Sequence, residues 1–146
     1  PDEAWKVRRY KQEWTQADTL NASIGQGYVL VSPFQLALSV ARIASGRAVA
    51  PALLHGPPRE FAPLPFPEEH LAIVRAGMDE VVNGAGTAVA SRLQLEGVRM
   101  GGKTGTAQVR RIKDRFRGQG GEWKYRDHGL FICFAPVDQP RYAASV

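Results

Sequence analysis

Apolar residues follow helical spacing most clearly in the segment that begins after Ser32. Ser32 is a good N-cap, Pro33 suits the first helical position, and Gly46 suits the C-terminal cap. The interior, Phe34–Ala44, is apolar nearly all round. The pattern therefore predicts a helix that lies in a core rather than on a surface.

A second helix is predicted from about Glu68 to Val82. Glu68 and Glu69 in its first turn suit the helix dipole, and Asn83-Gly84 is a typical stop signal. Four apolar residues recur at helical spacing: Leu71, Val74, Met78 and Val81.

Other parts of the chain show weaker patterns. Residues 1–22 are polar and aromatic and are interpreted as an extended surface segment. Residues 49–67 hold six prolines, which predicts a loop with one short edge strand near 49–54. Thr87 is expected to cap a short third helix that reaches about Leu95.

The last third of the chain has sequence patterns typical of strands. Residues 98–109 read as a glycine-rich strand, 129–136 as an apolar strand, and 141–146 as the start of another, with a turn at 138–140. Residues 110–127 form a basic loop. Helices followed by neighbouring strands predict an α+β fold in which an antiparallel sheet packs against helices.

Composition adds bounds but no function. The chain is 44% hydrophobic and 23% charged, as in an ordinary globular domain, and its net charge is +5. That charge permits anionic partners, but no nucleic-acid motif accompanies it. Cys133 lies in an apolar run and is interpreted as a small buried residue. The three histidines have no ligand spacing, so no metal and no cofactor is expected.

The segment with candidate chemistry is GGKTGTAQV at 101–109. Glycines weaken a strand, and they often mark a place where a ligand or another backbone comes close. Lys103 offers a positive charge, and Thr104 and Thr106 offer two hydroxyl donors. Together these groups are suited to hold a carboxylate.

Several motifs resemble the class B penicillin-binding proteins, in particular the elongation-type penicillin-binding protein 2. K-T-G is the third signature of the penicillin-recognising serine acyltransferases. The matching stretches, in order, are SIGQG at 23–27, SPFQLALSVARIASG at 32–46, GAGTA at 84–88, KTGTAQV at 103–109, Arg126-Asp127-His128 and FAP at 134–136. The resemblance implies that residues 1–146 are the C-terminal portion of a penicillin-binding protein/β-lactamase-like transpeptidase domain.

The resemblance also implies roles for individual residues. Lys103 would supply positive potential to the substrate carboxylate, and the hydroxyls of Thr104 and Thr106 would bind it. The backbone amide of Thr106 would be one of two oxyanion-hole donors. Gly105 would leave space for the ligand, and Gln108 is expected to contact its distal part. The implied ligands are peptidoglycan stem peptides ending in D-Ala-D-Ala, and β-lactams that imitate them.

The other two signatures of that family are missing from the sequence. Ser39-Val-Ala-Arg42 is the nearest approach to S-x-x-K, and no S-x-N occurs. These signatures are therefore expected to lie upstream of Pro1, and the chain is expected to be inactive alone. Because it starts without a methionine and stops inside a predicted strand, it is also expected to be truncated at both ends. By resemblance, the whole protein is a D,D-transpeptidase held in the bacterial inner membrane by a missing N-terminal segment. Its domain lies in the periplasm, beside a membrane-embedded glycan polymerase and the elongation machinery.

Two alternative functions remain open at this point. A β-lactamase or β-lactam sensor shares the fold and the K-T-G signature. The chain could also be a non-catalytic, structural half. The lifetime of a β-lactam adduct distinguishes the first alternative, and an upstream sequence lacking S-x-x-K would support the second.

Overall fold

The computed structural model describes residues 1–54, 56–107 and 123–146. Two compact units are formed, by residues 1–31 and by residues 32–146. Gln108 and most of the basic loop predicted at 110–127 lie outside the described residues.

The first unit contains two short helices, α1 (Glu3–Tyr10) and α2 (Gln16–Ser23). The sequence predicted an extended segment here, and that prediction is wrong. Asp2 caps α1 by accepting a hydrogen bond from the Trp5 amide at 2.7 Å. Thr15 and Asp18 form a reciprocal capping box at the start of α2. These side chains satisfy first-turn amides that otherwise lack partners, and so favour helix over extended chain.

Buried Lys6 connects the two helices of this unit. Its exposed fraction is 4%, and its Nζ donates to Asp18 Oδ2 at 2.7 Å and to the Glu13 carbonyl at 2.8 Å. Three aromatic rings pack together nearby in this unit, with centroids 5.1 to 5.6 Å apart: Trp5, Tyr10 and Tyr28. A buried ammonium requires such polar partners, so tertiary contacts stabilise these helices.

In the second unit, helix α3 (Pro33–Ser45) begins and ends where the sequence predicts. Ser32 Oγ accepts from the Gln35 amide at 3.2 Å, and Gln35 Oε1 accepts from the Ser32 amide at 2.9 Å. Gly46 ends the helix with φ 68°, a left-handed conformation that glycine adopts without strain.

The burial of α3 is narrower than its composition suggests. Val40 and Ala44 are buried, whereas Phe34 is 60% exposed. The helix therefore buries one side within the described residues, and the prediction of a fully core helix is wrong in this respect. Helix α4 (Glu68–Asn83) agrees with its prediction to within one residue.

Three strands form one antiparallel sheet within the described ranges, in the order β1-β2-β3. They are β1 (Gly101–Ala107), β2 (His128–Ala135) and β3 (Tyr142–Ser145). Helix α4 packs against β1, and α3 packs against β2 and β3. The predicted α+β architecture with an antiparallel sheet is confirmed.

Each face of the sheet has its own apolar cluster. One cluster contains Val40, Ala44, Met78 and Phe134. The other contains Val82, Ala88 and Met100, with Phe131 and Cys133 packed against it. Phe131 and Phe134 are three residues apart on β2, so their side chains point to opposite faces. Cores on both faces fix the register and orientation of the sheet.

Two local predictions are corrected. The described residues 49–54 form no strand; instead an isolated antiparallel bridge pairs Arg47 with Pro63. The predicted third helix is a single 3₁₀ turn, Val89–Ser91, without a side-chain cap. Thr87 does not act as a cap because its hydroxyl is bonded elsewhere, to Thr104.

Candidate functional site

The KTG residues lie on β1, at the edge of the sheet formed by the described strands. Lys103 is opposite Ile132, Thr104 opposite Phe131, and Thr106 opposite Gly129 on β2. Within the described ranges β1 has a partner strand on one side only. Its other side is the candidate edge for pairing with a ligand.

The pairing of β2 with β3 shows which way the backbone of β1 faces. The amide and carbonyl of Phe131 are both bonded to Val146, at 2.8 Å each, and therefore point toward β3. Backbone groups alternate in direction along an antiparallel strand, so the residues opposite Phe131 and Gly129 direct theirs away from β2. The backbone amides and carbonyls of Thr104 and Thr106 thus point to the open edge.

Side chains of β1 are divided between the two faces of the sheet. Thr104 and Thr106 are on the face that carries Phe131, and Lys103 is on the opposite face. The exposed Lys103 side chain turns back toward the edge, where its Nζ donates to the Thr104 carbonyl at 2.8 Å. The ammonium and the threonine backbone therefore meet at the same edge.

The three glycines of β1 have different neighbours. A Cβ at Gly101 would lie 2.9 Å from the ring of Phe134, and one at Gly102 would lie 2.6 Å from Phe131 Cζ. These two glycines make room for core aromatic rings, not for a ligand as the sequence suggested. At Gly105 the nearest neighbour would be Leu130 Cβ at 3.7 Å. Among the described residues, Gly105 is thus the glycine of this strand at which a Cβ would meet no close contact.

The entry to β1 is anchored to helix α4. Asn83 Nδ2 donates to the Met100 carbonyl at 2.9 Å and to Asp79 Oδ1 at 2.7 Å. Arg99 pairs with Asp79 and also with Asp138, its Nη2 lying 3.0 Å from Asp138 Oδ1. These contacts fix the strand just before the KTG residues.

Thr87 contacts the site, although its position in the sequence predicts a helix cap. Its Oγ1 lies 2.8 Å from Thr104 Oγ1. The signal in the sequence is the GAGTA motif at 84–88, which resembles a motif of the penicillin-binding proteins and contains this threonine. The contact joins residues 17 positions apart, so linear spacing could not predict it.

Cys133 is a thiol near this strand, opposite Gly102. It packs against the cluster that contains Val82 and Met100. The pKa of its thiol is raised, because the effect of burial exceeds the lowering by a backbone hydrogen bond from Ala144. A raised pKa disfavours the thiolate, which is the nucleophilic form. The thiol is therefore poorly suited to attack a carbonyl.

The part of the chain that the structure describes contains no group of three or more His, Cys, Asp or Glu side chains that could hold a metal ion. None of its helices is long and apolar enough to cross a membrane. An open depression of about 580 Å³ is lined by residues 47 and 59–63, away in sequence from the KTG strand.

Comparison with known proteins points to one family. The model described as "Penicillin binding protein transpeptidase domain" matches residues 3–146. The peptidoglycan D,D-transpeptidases MrdA of Haemophilus influenzae and Acinetobacter baumannii are 32% and 33% identical over the whole of this chain. The chain spans 25% and 23% of those two relatives.

A solved structure agrees with the sequence matches. The complex of penicillin-binding protein 2 (PBP2) with MreC from Helicobacter pylori superposes with a TM-score of 0.81 at 32% identity. The alignment covers 99% of this chain and 26% of that chain. The fold is thus that of a penicillin-binding protein transpeptidase domain, as the motifs predicted.

Proposed function

Because the chain belongs to the penicillin-binding protein transpeptidase domain family, we propose that it is part of a longer peptidoglycan D,D-transpeptidase that β-lactams acylate. In this proposal residues 1–146 form one part of a single transpeptidase domain. The observation that carries the proposal is the edge strand β1, where the Lys103 ammonium lies beside the outward-facing backbone of Thr104. This arrangement suits the recognition of an anionic peptide terminus.

The candidate residues have separate roles in this proposal. Lys103 supplies positive potential to the terminal carboxylate of the substrate, and the hydroxyls of Thr104 and Thr106 donate to it. The Thr106 amide, directed to the open edge, stabilises the oxyanion that forms during attack; removal of one such donor in other enzymes costs about 10²–10³ in rate. Gly105 leaves room for the substrate, and Gln108 contacts its distal part.

The nucleophile belongs to a part of the protein outside this chain. No serine in this sequence begins an S-x-x-K or S-x-N pattern. In the family, the serine and lysine of S-x-x-K supply the attacking hydroxyl and its base. The serine Oγ attacks the carbonyl of the penultimate D-Ala, the peptide C–N bond breaks, and the departing D-Ala nitrogen takes up the serine proton. The amine of a neighbouring stem peptide then attacks the ester and returns a proton to the serine.

The wider setting is also part of the proposal. The longer protein is held in the bacterial inner membrane by a segment outside this chain, with the transpeptidase domain in the periplasm. The H. pylori relative forms a complex with MreC, and this supports an elongation-machinery partner for the present protein. A membrane-embedded glycan polymerase is a further partner that the family resemblance implies.

A fluorescent penicillin tests the function directly. The longer protein is expected to form a covalent adduct visible in gels and by intact mass, whereas the 146-residue chain alone is not. Lys103→Met should slow acylation by about 10- to 150-fold, because a charge-assisted hydrogen bond is worth about 1.5–3 kcal/mol. Lys103→Arg, which keeps the charge, is the matched control and should lose less.

The same experiment separates the alternatives. An adduct that persists for hours indicates a transpeptidase, whereas hydrolysis within seconds indicates a β-lactamase. A longer protein that forms no adduct indicates a structural role and contradicts the proposal.

A further inference from the structure

The hydroxyl of Thr87 reaches the KTG strand from a different part of the fold. Its Oγ1 lies 2.8 Å from Thr104 Oγ1, and either atom could be the donor. Thr87 precedes the 3₁₀ turn Val89–Ser91, whereas Thr104 is the fourth residue of β1. The contact is thus made by tertiary packing between two elements.

The turn that carries Thr87 is held tightly against the end of helix α4. The Ala88 amide donates to the Val81 carbonyl at 3.1 Å, and Ala88 is 4% exposed within the second apolar cluster. At Gly86 a Cβ would lie 2.3 Å from Val81 Cα. Only a residue without a Cβ allows the backbone of this turn to approach the helix so closely. Thr87 is therefore presented by a well-packed turn rather than by a free loop.

We infer that Thr87 is a positioning residue that orients the Thr104 hydroxyl toward the carboxylate of the substrate or the β-lactam. This inference rests on the proposed function. A carboxylate accepts hydrogen bonds and cannot donate them, so Thr104 must use its one hydroxyl hydrogen for the ligand. Its oxygen is then left to accept the hydrogen of Thr87.

The direction of the two hydrogen bonds follows from this requirement. Thr87 donates to Thr104, and Thr104 donates to the carboxylate. Each bond polarises the next, which strengthens the bond to the anion. Thr87 itself does not touch the ligand.

Thr87→Val tests the inference in the longer transpeptidase. Valine keeps the shape of threonine and removes the donor, so the thermal midpoint should stay close to that of the wild type. The second-order rate constant for acylation by a carboxylate-bearing penicillin should fall about 10-fold. Thr87→Ser is the matched control: it keeps the hydroxyl and should retain most of the rate.

A penicillin methyl ester separates positioning from a purely structural role. The ester has no anion to receive the Thr104 hydrogen, so Thr87→Val should change its rate of acylation little. In a Thr104→Val background, Thr87→Val should add no further loss on the carboxylate substrate, because coupled groups are not additive.

The outcomes that contradict the inference are distinct. An equal loss on acid and ester would show a structural role, and an unchanged rate on the acid would show that Thr87 is not involved; wild-type acylation would preserve the proposed function in both cases. Absence of acylation in the wild type would overturn the proposed function and this inference together.

Discussion

Gly102 and Gly105 look equivalent in the sequence but meet different surroundings. A Cβ at Gly102 would lie 2.6 Å from Phe131 Cζ and 3.0 Å from the Ile132 carbonyl oxygen. A Cβ at Gly105 would find its nearest atom, Leu130 Cβ, at an ordinary contact distance of 3.7 Å. The first glycine serves the packing of the sheet, whereas the second could accept a methyl group without a clash among the described residues.

This difference predicts opposite effects for two alanine substitutions. Gly102→Ala should lower the free energy of unfolding by about 1–3 kcal/mol, because the core must shift to admit the methyl group. Gly105→Ala should leave the free energy of unfolding within about 0.5 kcal/mol of wild type. In the longer transpeptidase Gly105→Ala should slow acylation by a fluorescent penicillin, since its methyl group occupies ligand space.

Urea unfolding and acylation kinetics of the same variants provide the test. Gly105→Ala is the matched control for stability. A Gly105→Ala protein that unfolds as easily as Gly102→Ala would contradict the division of roles.

The candidate site could be predicted from sequence as far as its motif reaches. The strand assignment of Lys103, Thr104 and Thr106 is confirmed, whereas their roles and that of Gln108 stay predictions. The contact of Thr87 with Thr104 was not predicted, because it depends on how the turn at 84–88 packs against β1. Motifs identify which residue types recur, but they do not show which hydroxyls meet in space.

Among the elements, helices with their own stop and start signals were predicted well. Helix α3 has a reciprocal Ser32–Gln35 cap and a left-handed Gly46, and these local devices can be read in a linear pattern. Helices α1 and α2 also have N-terminal caps, at Asp2 and at Thr15 with Asp18, but they were missed because each is only eight residues long and offers little helical periodicity to read. Their stability depends on the buried Lys6 and its partner Asp18, a contact between residues 12 positions apart.

The turn after α4 allows a prediction at the scale of the element. Gly86→Ala should displace this turn, because its Cβ would lie 2.3 Å from Val81 Cα and backbone cannot yield as a side-chain end can. The free energy of unfolding should fall by about 1–3 kcal/mol. Gly77→Ala, at a position in α4 where a Cβ would have open space, should instead stabilise the protein by about 0.5–1 kcal/mol.

Thermal unfolding of the two variants measures this contrast. Acylation adds a second readout in the longer protein: Gly86→Ala should slow it, because Thr87 moves away from Thr104, whereas Gly77→Ala should not. Equal thermal midpoints for the two variants would show that the turn is not held as tightly as the structure indicates.

At the scale of the whole molecule, the family could be identified from sequence because its motifs are dispersed over most of the chain. The division into units 1–31 and 32–146 was not foreseen, since no linker composition marks residue 31. The sheet and its two apolar clusters depend on contacts between distant segments. Apart from the family resemblance, the order of the elements, helices before strands, indicated the α+β class in advance.

The free energy of unfolding should depend on pH through the ionisation of Asp18. Hydrogen bonds from Lys6 and then Thr15 lower the pKa of this carboxyl from 3.8 to about 2. Because the folded pKa is below the unfolded one, the contribution to stability is complete above about pH 3.8 and is lost as the pH falls toward 2. Asp18→Asn should therefore be less stable than wild type at neutral pH, and the difference should shrink across this window.

Urea unfolding between pH 2 and 7, followed by tryptophan fluorescence, measures the effect. Trp5 and Trp14 both lie in the unit that contains Asp18, so their emission reports on its unfolding. Glu96→Gln, which replaces an exposed carboxylate, is the matched control. A constant difference between Asp18→Asn and wild type from pH 7 to pH 2 would show that the Lys6–Asp18 contact does not couple folding to the ionisation of Asp18.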